Sequence, residues 1–194
     1  MQISLLKTAP SFDHPIDVLI ACHGRITGYL EILEKIGEAL LQGELSDTLC
    51  IRLKEVLRYF ETGGVHHIED EEESLFPRLL RQTGKEAEDL VIHIQRLTSD
   101  HDDVQTSHQV LSKVSRKLVE LAPKVDKALA QQFSETISIL NHIYLPHIEM
   151  EDKILFPFAS AKLSAEDLLA LGREMAQRRG IDPKRLSEPW PKTV

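Results

Sequence analysis

Apolar residues recur every three or four positions along most of the chain, which is the spacing of one face of an α-helix. Alternation of apolar and polar residues, which is typical of strands, never extends beyond a few positions. Aromatic residues make up only 5% of the sequence, and strands are usually enriched in them. The pattern therefore predicts an all-α protein.

The first two helices can be placed from their boundary residues. We expect the first to have Asp13 as its N-cap and Pro15 in its first turn, and to end at Gly43. The second begins near Ser46 with a new apolar stripe. The two glycines at 63–64 should kink this second helix or divide it into two collinear pieces.

The next two helices are long. The third should run from about Lys85 to Leu121, because Pro123 follows and disfavours further helix. The fourth should continue to about Ala161, with a bend at Pro146, whose ring removes one backbone hydrogen bond. Short connections between these four helices predict an antiparallel up-down four-helix bundle.

A fifth helix is indicated at the C-terminal end. Ser164 and Asp167 resemble a capping box at its start, and Gly180 is a typical stop. We interpret it as a packing helix or a dimer contact. The expected organisation is one domain over 1–194, with the bundle at about 13–161, the C-terminal helix at about 165–179 and an irregular tail at 181–194.

One segment of the sequence occurs twice. Residues 67–77 read HIEDEEESLFP and residues 147–157 read HIEMEDKILFP, with seven of eleven positions identical. In each copy a histidine and a glutamate stand four residues apart, so on a helix both side chains leave the same face. Surface residues on two amphipathic helices could show this spacing by chance, but a duplication of this length favours a pair of metal-binding motifs.

A further histidine precedes each copy at a similar distance. His23 lies 44 residues before His67, and His101 lies 46 residues before His147, which is room for a helix, a loop and a return helix. If the two helical hairpins pack face to face, six side chains point at one interior site. These candidate metal ligands are His23, His67, Glu71, His101, His147 and Glu151.

Other polar residues near the motifs could join this site. Tyr144 could face the site or be a core tyrosine with its hydroxyl bonded elsewhere. We interpret three other histidines as exposed residues, as residues that contact a metal ligand without binding the metal, or as ordinary polar residues: His66, His108 and His142.

Imidazole and carboxylate ligands together suit iron, manganese or zinc, and two carboxylates able to bridge favour a dinuclear centre. Four histidines and two bridging glutamates supply about eight of the roughly twelve bonds that two octahedral metals need. A bridging oxygen would add two more. Each metal would then keep about one open position, where a small ligand could bind.

Charge and composition restrict the partners. The net charge is −8, with 23 basic and 31 acidic residues and no block of lysine and arginine, so nucleic acid is not expected as a partner. No run of apolar residues is long enough for a signal peptide or a membrane span, so we expect a soluble, cytoplasmic protein without a membrane partner. Cys22 and Cys50 form no CxxC pair and are interpreted as reduced thiols. The sequence leaves open whether the protein forms an oligomer.

The duplicated motifs resemble those of the hemerythrin-like His-His-Glu cation-binding proteins, which are four-helix bundles with a non-haem di-iron centre. The resemblance covers about residues 13–160, and in both copies Leu-Phe-Pro begins four residues after the glutamate. It implies two iron ions joined by an oxo or hydroxo bridge. Oxygen-carrying hemerythrins have a fifth histidine where this chain has Leu97, and this departure disfavours a carrier-type site. Their second motif ends with an aspartate five residues after the histidine, so the resemblance makes Asp152 an alternative to Glu151 as the bridging carboxylate, although the position of Leu-Phe-Pro favours Glu151.

The resemblance implies the fold and the metal, and the open metal positions lead to the functional hypothesis: binding of dioxygen, peroxide or nitric oxide in sensing or stress response. One alternative is repair of damaged iron–sulphur centres or donation of iron to them, although such proteins usually carry an N-terminal cysteine-bearing module that this chain lacks. A peroxide- or nitric-oxide-consuming enzyme is another. The third is a metal that only stabilises the fold.

Overall fold

A computed structural model describes residues 9–190, except for the side chains of Glu86, Ala87 and Pro183. Every regular element in this part of the chain is helical, so the predicted fold class is confirmed. The α-helices are α1 Pro15–Leu41, α2 Asp47–Tyr59, α3 Val65–Glu69, α4 Phe76–Leu80, α5 Lys85–Leu121, α6 Lys127–Met150, α7 Phe156–Lys162 and α8 Ala165–Arg178. Three π-turns, Phe60–Gly64, Asp70–Leu75 and Glu151–Leu155, and one 3₁₀ turn, Pro183–Arg185, complete the set.

These elements form four long arms and one extra helix. The second arm joins α2, α3 and α4 through two π-turns without a break, and the fourth joins α6 and α7 through the third π-turn. The short connections at 42–46, 81–84 and 122–126 return each arm alongside the previous one. Helix α1 packs against α2 and α6, and α5 packs against α4 and α6, which closes the bundle.

One expected boundary residue is wrong. His14, not Asp13, holds the N-cap position of α1, and Asp13 instead donates its backbone N–H to the carbonyl of Leu186 at 3.3 Å. At the glycines at 63–64 the π-turn Phe60–Gly64 separates α2 from α3, so the α-helix is divided there as expected while the chain stays helical. The cap position depends on what packs against it, which a local signal in the sequence does not contain.

The other two π-turns lie in the duplicated motifs, immediately before their prolines. The Phe76 N–H bonds to the Glu71 carbonyl, and the Phe156 N–H bonds to the Glu151 carbonyl, each across five residues. A proline ring clashes with the carbonyl four residues earlier in an α-helix, and a wider turn relieves that clash. The Leu-Phe-Pro sequence therefore sets the backbone shape around each glutamate.

The core has two apolar clusters with a polar layer between them. Along α1 one cluster ends at Cys22 and the other begins at Ile26, with His23 between them. Along α5 the same change occurs between Leu97 and Val104, around His101. The histidines are thus held between two packed hydrophobic layers that leave little room for movement.

Helix α8 packs on its own chain, against α1 and the π-turn Asp70–Leu75. Its contact with the N-terminal segment is close, because a Cβ atom at Gly172 would lie 1.8 Å from the Phe12 carbonyl oxygen. The segment after it includes the 3₁₀ turn and is also docked: the Trp190 N–H donates to the Pro10 carbonyl at 2.7 Å. Among the described residues, no helix has the length and hydropathy that crossing a membrane requires.

Candidate metal centre

All six candidate ligands meet in the polar layer of the bundle. Glu71 and Glu151 lie at its centre and are fully buried. The four histidines surround them and are at most 4% exposed. Each side chain comes from a different turn of the four arms: His23 from α1, His67 from α3, Glu71 and Glu151 from π-turns, His101 from α5 and His147 from α6.

One group of four lies on the side of the first motif. Nε2 of His67 is 3.4 Å from Oε1 of Glu71, and Nε2 of His23 is 3.1 Å from Oε2 of Glu151. One ligand atom from each of these four residues lies within 4.8 Å of the others. Four donors at these separations can surround one metal ion.

The second group uses the same two carboxylates. Nε2 of His101 is 3.3 Å from Oε2 of Glu71, and Nε2 of His147 is 3.3 Å from Oε2 of Glu151. The ligand atoms of this group also lie within 4.8 Å of one another. Because Glu71 and Glu151 belong to both groups, the arrangement suits two ions that share two carboxylates.

Two histidines are held by carboxylates from the opposite hairpin. Nδ1 of His23 lies 2.8 Å from Oδ1 of Asp152, and Nδ1 of His101 lies 2.7 Å from Oε1 of Glu72. A carboxylate on Nδ1 fixes the proton there, which leaves Nε2 as the metal-binding nitrogen. The position after each motif glutamate therefore supports the partner hairpin, and Asp152 lies outside the central layer that Glu151 occupies.

Aromatic rings follow the same crossed arrangement. The ring of Phe156 stacks on His23 with centroids 5.2 Å apart, and the ring of Phe76 stacks on His101 at 6.2 Å. Both phenylalanines are buried. Each motif thus supplies a carboxylate and an aromatic ring that restrain a histidine of the other hairpin.

The other two histidines differ from each other. Nδ1 of His147 lies 3.4 Å from Oδ2 of Asp100, a longer contact than those of His23 and His101. Nδ1 of His67 is buried and has no hydrogen-bond partner among the described residues. The two groups are therefore not equivalent.

The buried polar atoms of the layer fit a cation. Both oxygens of Glu71 and of Glu151, and Nε2 of His23, are buried without an acceptable hydrogen bond in the described part of the chain. Buried carboxylates left in this state are costly unless a positive charge satisfies them. Metal ions between these oxygens and imidazole nitrogens would provide that charge.

The ionisation of the layer supports the same conclusion. Burial, and then the charge of Glu151, raise the pKa of Glu71 to about 7. Burial lowers the pKa of His23, but the neighbouring carboxylates of Asp152 and Glu151 favour its charged form, outweigh burial and raise that pKa to about 10. Burial lowers the pKa of His67 well below its ordinary value. The two central carboxylates thus draw positive charge into the layer, whether protons or metal ions supply it.

Comparison with known proteins agrees with this geometry. The family model of the hemerythrin HHE cation binding domain matches residues 14–159. The chain belongs to this hemerythrin family. It is also 26% identical over 182 residues to an uncharacterized protein of Haemophilus influenzae strain Rd, with 93% of this chain and 99% of that protein covered. The buried histidine and glutamate groups make it a metal-binding hemerythrin-like protein.

Other polar residues near the hemerythrin-like centre take supporting positions. The Tyr144 hydroxyl lies 3.0 Å from Nε2 of His108, which agrees with the interpretation that it is bonded away from the metal-ligand layer. His142 is exposed, and His66 is half-buried beside a separate cavity. Leu97 is fully buried in an apolar cluster and supplies no ligand atom.

Sequence reasoning missed the roles of Glu72 and Asp100 and assigned Asp152 only as an alternative ligand. For Glu72 and Asp152 a signal was present, because an acidic residue follows the motif glutamate in both copies of the repeat. Asp100 offers no comparable signal, since two other carboxylates lie close to it in α5, those of Asp102 and Asp103.

Proposed function

We propose that this protein holds two iron ions, one in each group of four side chains, with Glu71 and Glu151 shared between them. The observation that supports this proposal is the membership of both glutamates in both buried groups. Each ion would receive four protein groups, fewer than the six of octahedral iron. An oxo or hydroxo bridge would occupy a further position on each ion.

The proposed role is binding of dioxygen, peroxide or nitric oxide in sensing or stress response. Iron held in this way supplies a redox-active metal with an exchangeable position for such a ligand. Leu97 supports this role because it is fully buried and offers no further protein donor where a fifth histidine would lie. Phe76 and Phe156 are buried beside the histidines and exclude water from the layer.

The remaining residues orient the ligands. Asp152 and Glu72 hold the rings of His23 and His101 at Nδ1, so that Nε2 faces the central carboxylates. His67 has no such partner among the described residues, and its ring is restrained by packing against His23 with centroids 4.9 Å apart. The ion bound on this side should therefore exchange more readily than its neighbour.

The test combines metal analysis with optical titration. Purified protein reconstituted with iron should contain two iron ions per chain, and azide or nitric oxide should change its absorption saturably. One iron per chain would contradict the dinuclear proposal. Two ions without any ligand binding in either redox state would leave only a structural metal, while catalytic turnover of peroxide or transfer of iron to a damaged cluster would instead favour an enzyme or a repair protein.

A further inference from the structure

A cavity separate from the metal-ligand layer lies where the second arm faces α1 and the C-terminal segment. Its volume is about 260 Å³, which is space for several water molecules at roughly 30 Å³ each. Two arginines, a tyrosine, a histidine and the single tryptophan of the chain line it: Arg25, Tyr59, His66, Arg179 and Trp190.

The charge of this lining is unusual for the protein. The chain carries a net charge of −8, yet the described lining contains no carboxylate and two guanidinium groups. The guanidinium carbon of Arg25 lies 3.7 Å from the centre of the Trp190 ring, and that of Arg179 lies 5.5 Å from it. Stacking on the ring holds both groups in place before any ligand arrives.

Arg179 also has an ion pair with a buried carboxylate. Its Nη1 and Nη2 donate to the two oxygens of Asp70 at 3.2 and 2.7 Å, and its Nη1 also donates to the Met175 carbonyl at 2.8 Å. Arg178 reaches the same carboxylate with Nη1 at 3.0 Å. One buried carboxylate is thus shared by two guanidinium groups. The second carboxylate near them, Glu73, has a side chain 65% exposed to water and compensates little of the buried charge.

Tyr59 provides an unused donor at this site. The residue is 3% exposed, and its hydroxyl has no hydrogen-bond partner among the described residues. Burial raises the pKa of Tyr59, while the charges of Arg25 and Arg179, which line the same cavity, act in the opposite direction. A buried O–H without an acceptor is costly, and a bound acceptor would remove that cost.

Gly63 permits this position of the tyrosine. A Cβ atom at residue 63 would lie 2.8 Å from Cε2 of Tyr59, so any side chain there would displace the ring. The glycine belongs to the π-turn Phe60–Gly64. The missing side chain at residue 63 therefore leaves room for the phenol ring at the cavity wall.

We infer that this cavity binds a small oxyanion, a carboxylate or a phosphate. The Tyr59 hydroxyl donates to it, and the guanidinium groups of Arg25 and Arg179 supply positive charge at the cavity wall. Oxyanions of both kinds accept a hydrogen bond from a hydroxyl and are stabilised by nearby positive charge.

Trp190 allows a direct test, because it is the single tryptophan of the chain and lines the cavity. Its emission would be followed in the full-length, metal-loaded protein during titration with inorganic phosphate and, separately, with succinate. Chloride at matched ionic strength is the reference. A saturable change with phosphate alone identifies a phosphate site, and one with succinate identifies a carboxylate site.

Two conservative variants make the test specific. Tyr59→Phe removes only the hydroxyl, and binding should weaken about tenfold, as expected for a lost hydrogen bond to a charged group. Tyr29→Phe is the matched control, since Tyr29 packs 4.5 Å from Tyr59 between ring centroids but does not line the cavity. Its affinity should be unchanged.

The inference would be overturned if neither anion changes the emission beyond chloride. It would also be overturned if Tyr59→Phe and Tyr29→Phe bind the anion equally well, because the anion would then bind elsewhere, including at the metal centre. Unchanged helicity and metal content in both variants ensure that a loss of affinity reports on the hydroxyl.

Discussion

Asp152 directly follows Glu151 in the sequence, yet its carboxylate hydrogen bonds across the bundle to His23, with Oδ1 2.8 Å from Nδ1. Glu72, which follows Glu71, makes the equivalent bond to His101 at 2.7 Å. Each half of the duplicated sequence thereby orients a ligand of the other half. The metal centre depends on both hairpins being docked, and neither could build it alone.

Removing one of these crossed carboxylates should weaken metal binding without unfolding the protein. For Asp152→Asn we expect a loss of roughly 10- to 100-fold in affinity, as is typical when the outer partner of a histidine ligand is replaced. Competition with a chelator of known affinity measures it. Glu149→Gln is the matched control, because the Glu149 side chain is 61% exposed and pairs only with Lys153 among the described residues. Equal losses in both variants would show that the crossed bond does not orient the ligand.

Removing the metal should lower the melting temperature while most of the helicity remains. Metal at 100 times its dissociation constant stabilises a folded protein by about 2.7 kcal/mol, which corresponds to roughly 5 °C or more for a chain of this size. Without metal, histidines can still bond to the central carboxylates, and two apolar clusters hold the bundle on either side. Circular dichroism of the chelated and reconstituted protein measures both effects. Identical melting curves would mean that metal binds outside the buried layer.

Two glycine substitutions should have opposite effects on stability. In Gly172→Ala the new methyl group would lie 1.8 Å from the Phe12 carbonyl oxygen, so α8 has to move away from the N-terminal segment. We expect a loss of about 3 kcal/mol, at the upper end of the usual overpacking cost. Gly28→Ala, also within a helix but with nothing within 4 Å of the added atom, should instead stabilise by up to about 1 kcal/mol. Urea denaturation of both variants compares them, and similar midpoints would contradict the contact.

Much of the fold could be predicted because its signals are periodic or duplicated. The stripes of apolar residues predicted the helices, and the repeat at 67–77 and 147–157 predicted which side chains meet. The π-turns before Pro77 and Pro157 were not predicted. A proline signals that an α-helical bond is lost, but not whether the chain bends, stops or widens by one residue.

Contacts between arms were harder to predict than contacts within them. The bond from Asp152 to His23 joins residues 129 apart in sequence, and it depends on the rotation of both arms about their axes. The docking of Trp190 on Pro10 has the same origin. Sequence spacing defines which residues share a face of one helix, whereas these partners are selected by how the helices pack.

His108 should make the protein less stable in mild acid. Burial lowers the pKa of His108 from 6.5 to about 4. Between these values the unfolded chain binds a proton that the folded chain does not, so this contribution to stability is complete above pH 6.5 and is lost as the pH falls toward 4. From pH 7 to pH 5 the loss is about 2 kcal/mol by this linkage.

The comparison that isolates this contribution is the free energy of unfolding at pH 7 and at pH 5 in three proteins. His108→Gln can still hydrogen bond to the Tyr144 hydroxyl but does not titrate, so it should lose about 2 kcal/mol less than the unmodified protein over this interval. His142→Gln, which replaces an exposed histidine of α6, is the matched control. Because the metal-ligand layer is the same in all three, its own titration cancels in the differences. If His108→Gln shows the full acid sensitivity of the unmodified protein, then His108 is charged within the fold, and its contact with Tyr144 is one that the imidazolium also tolerates.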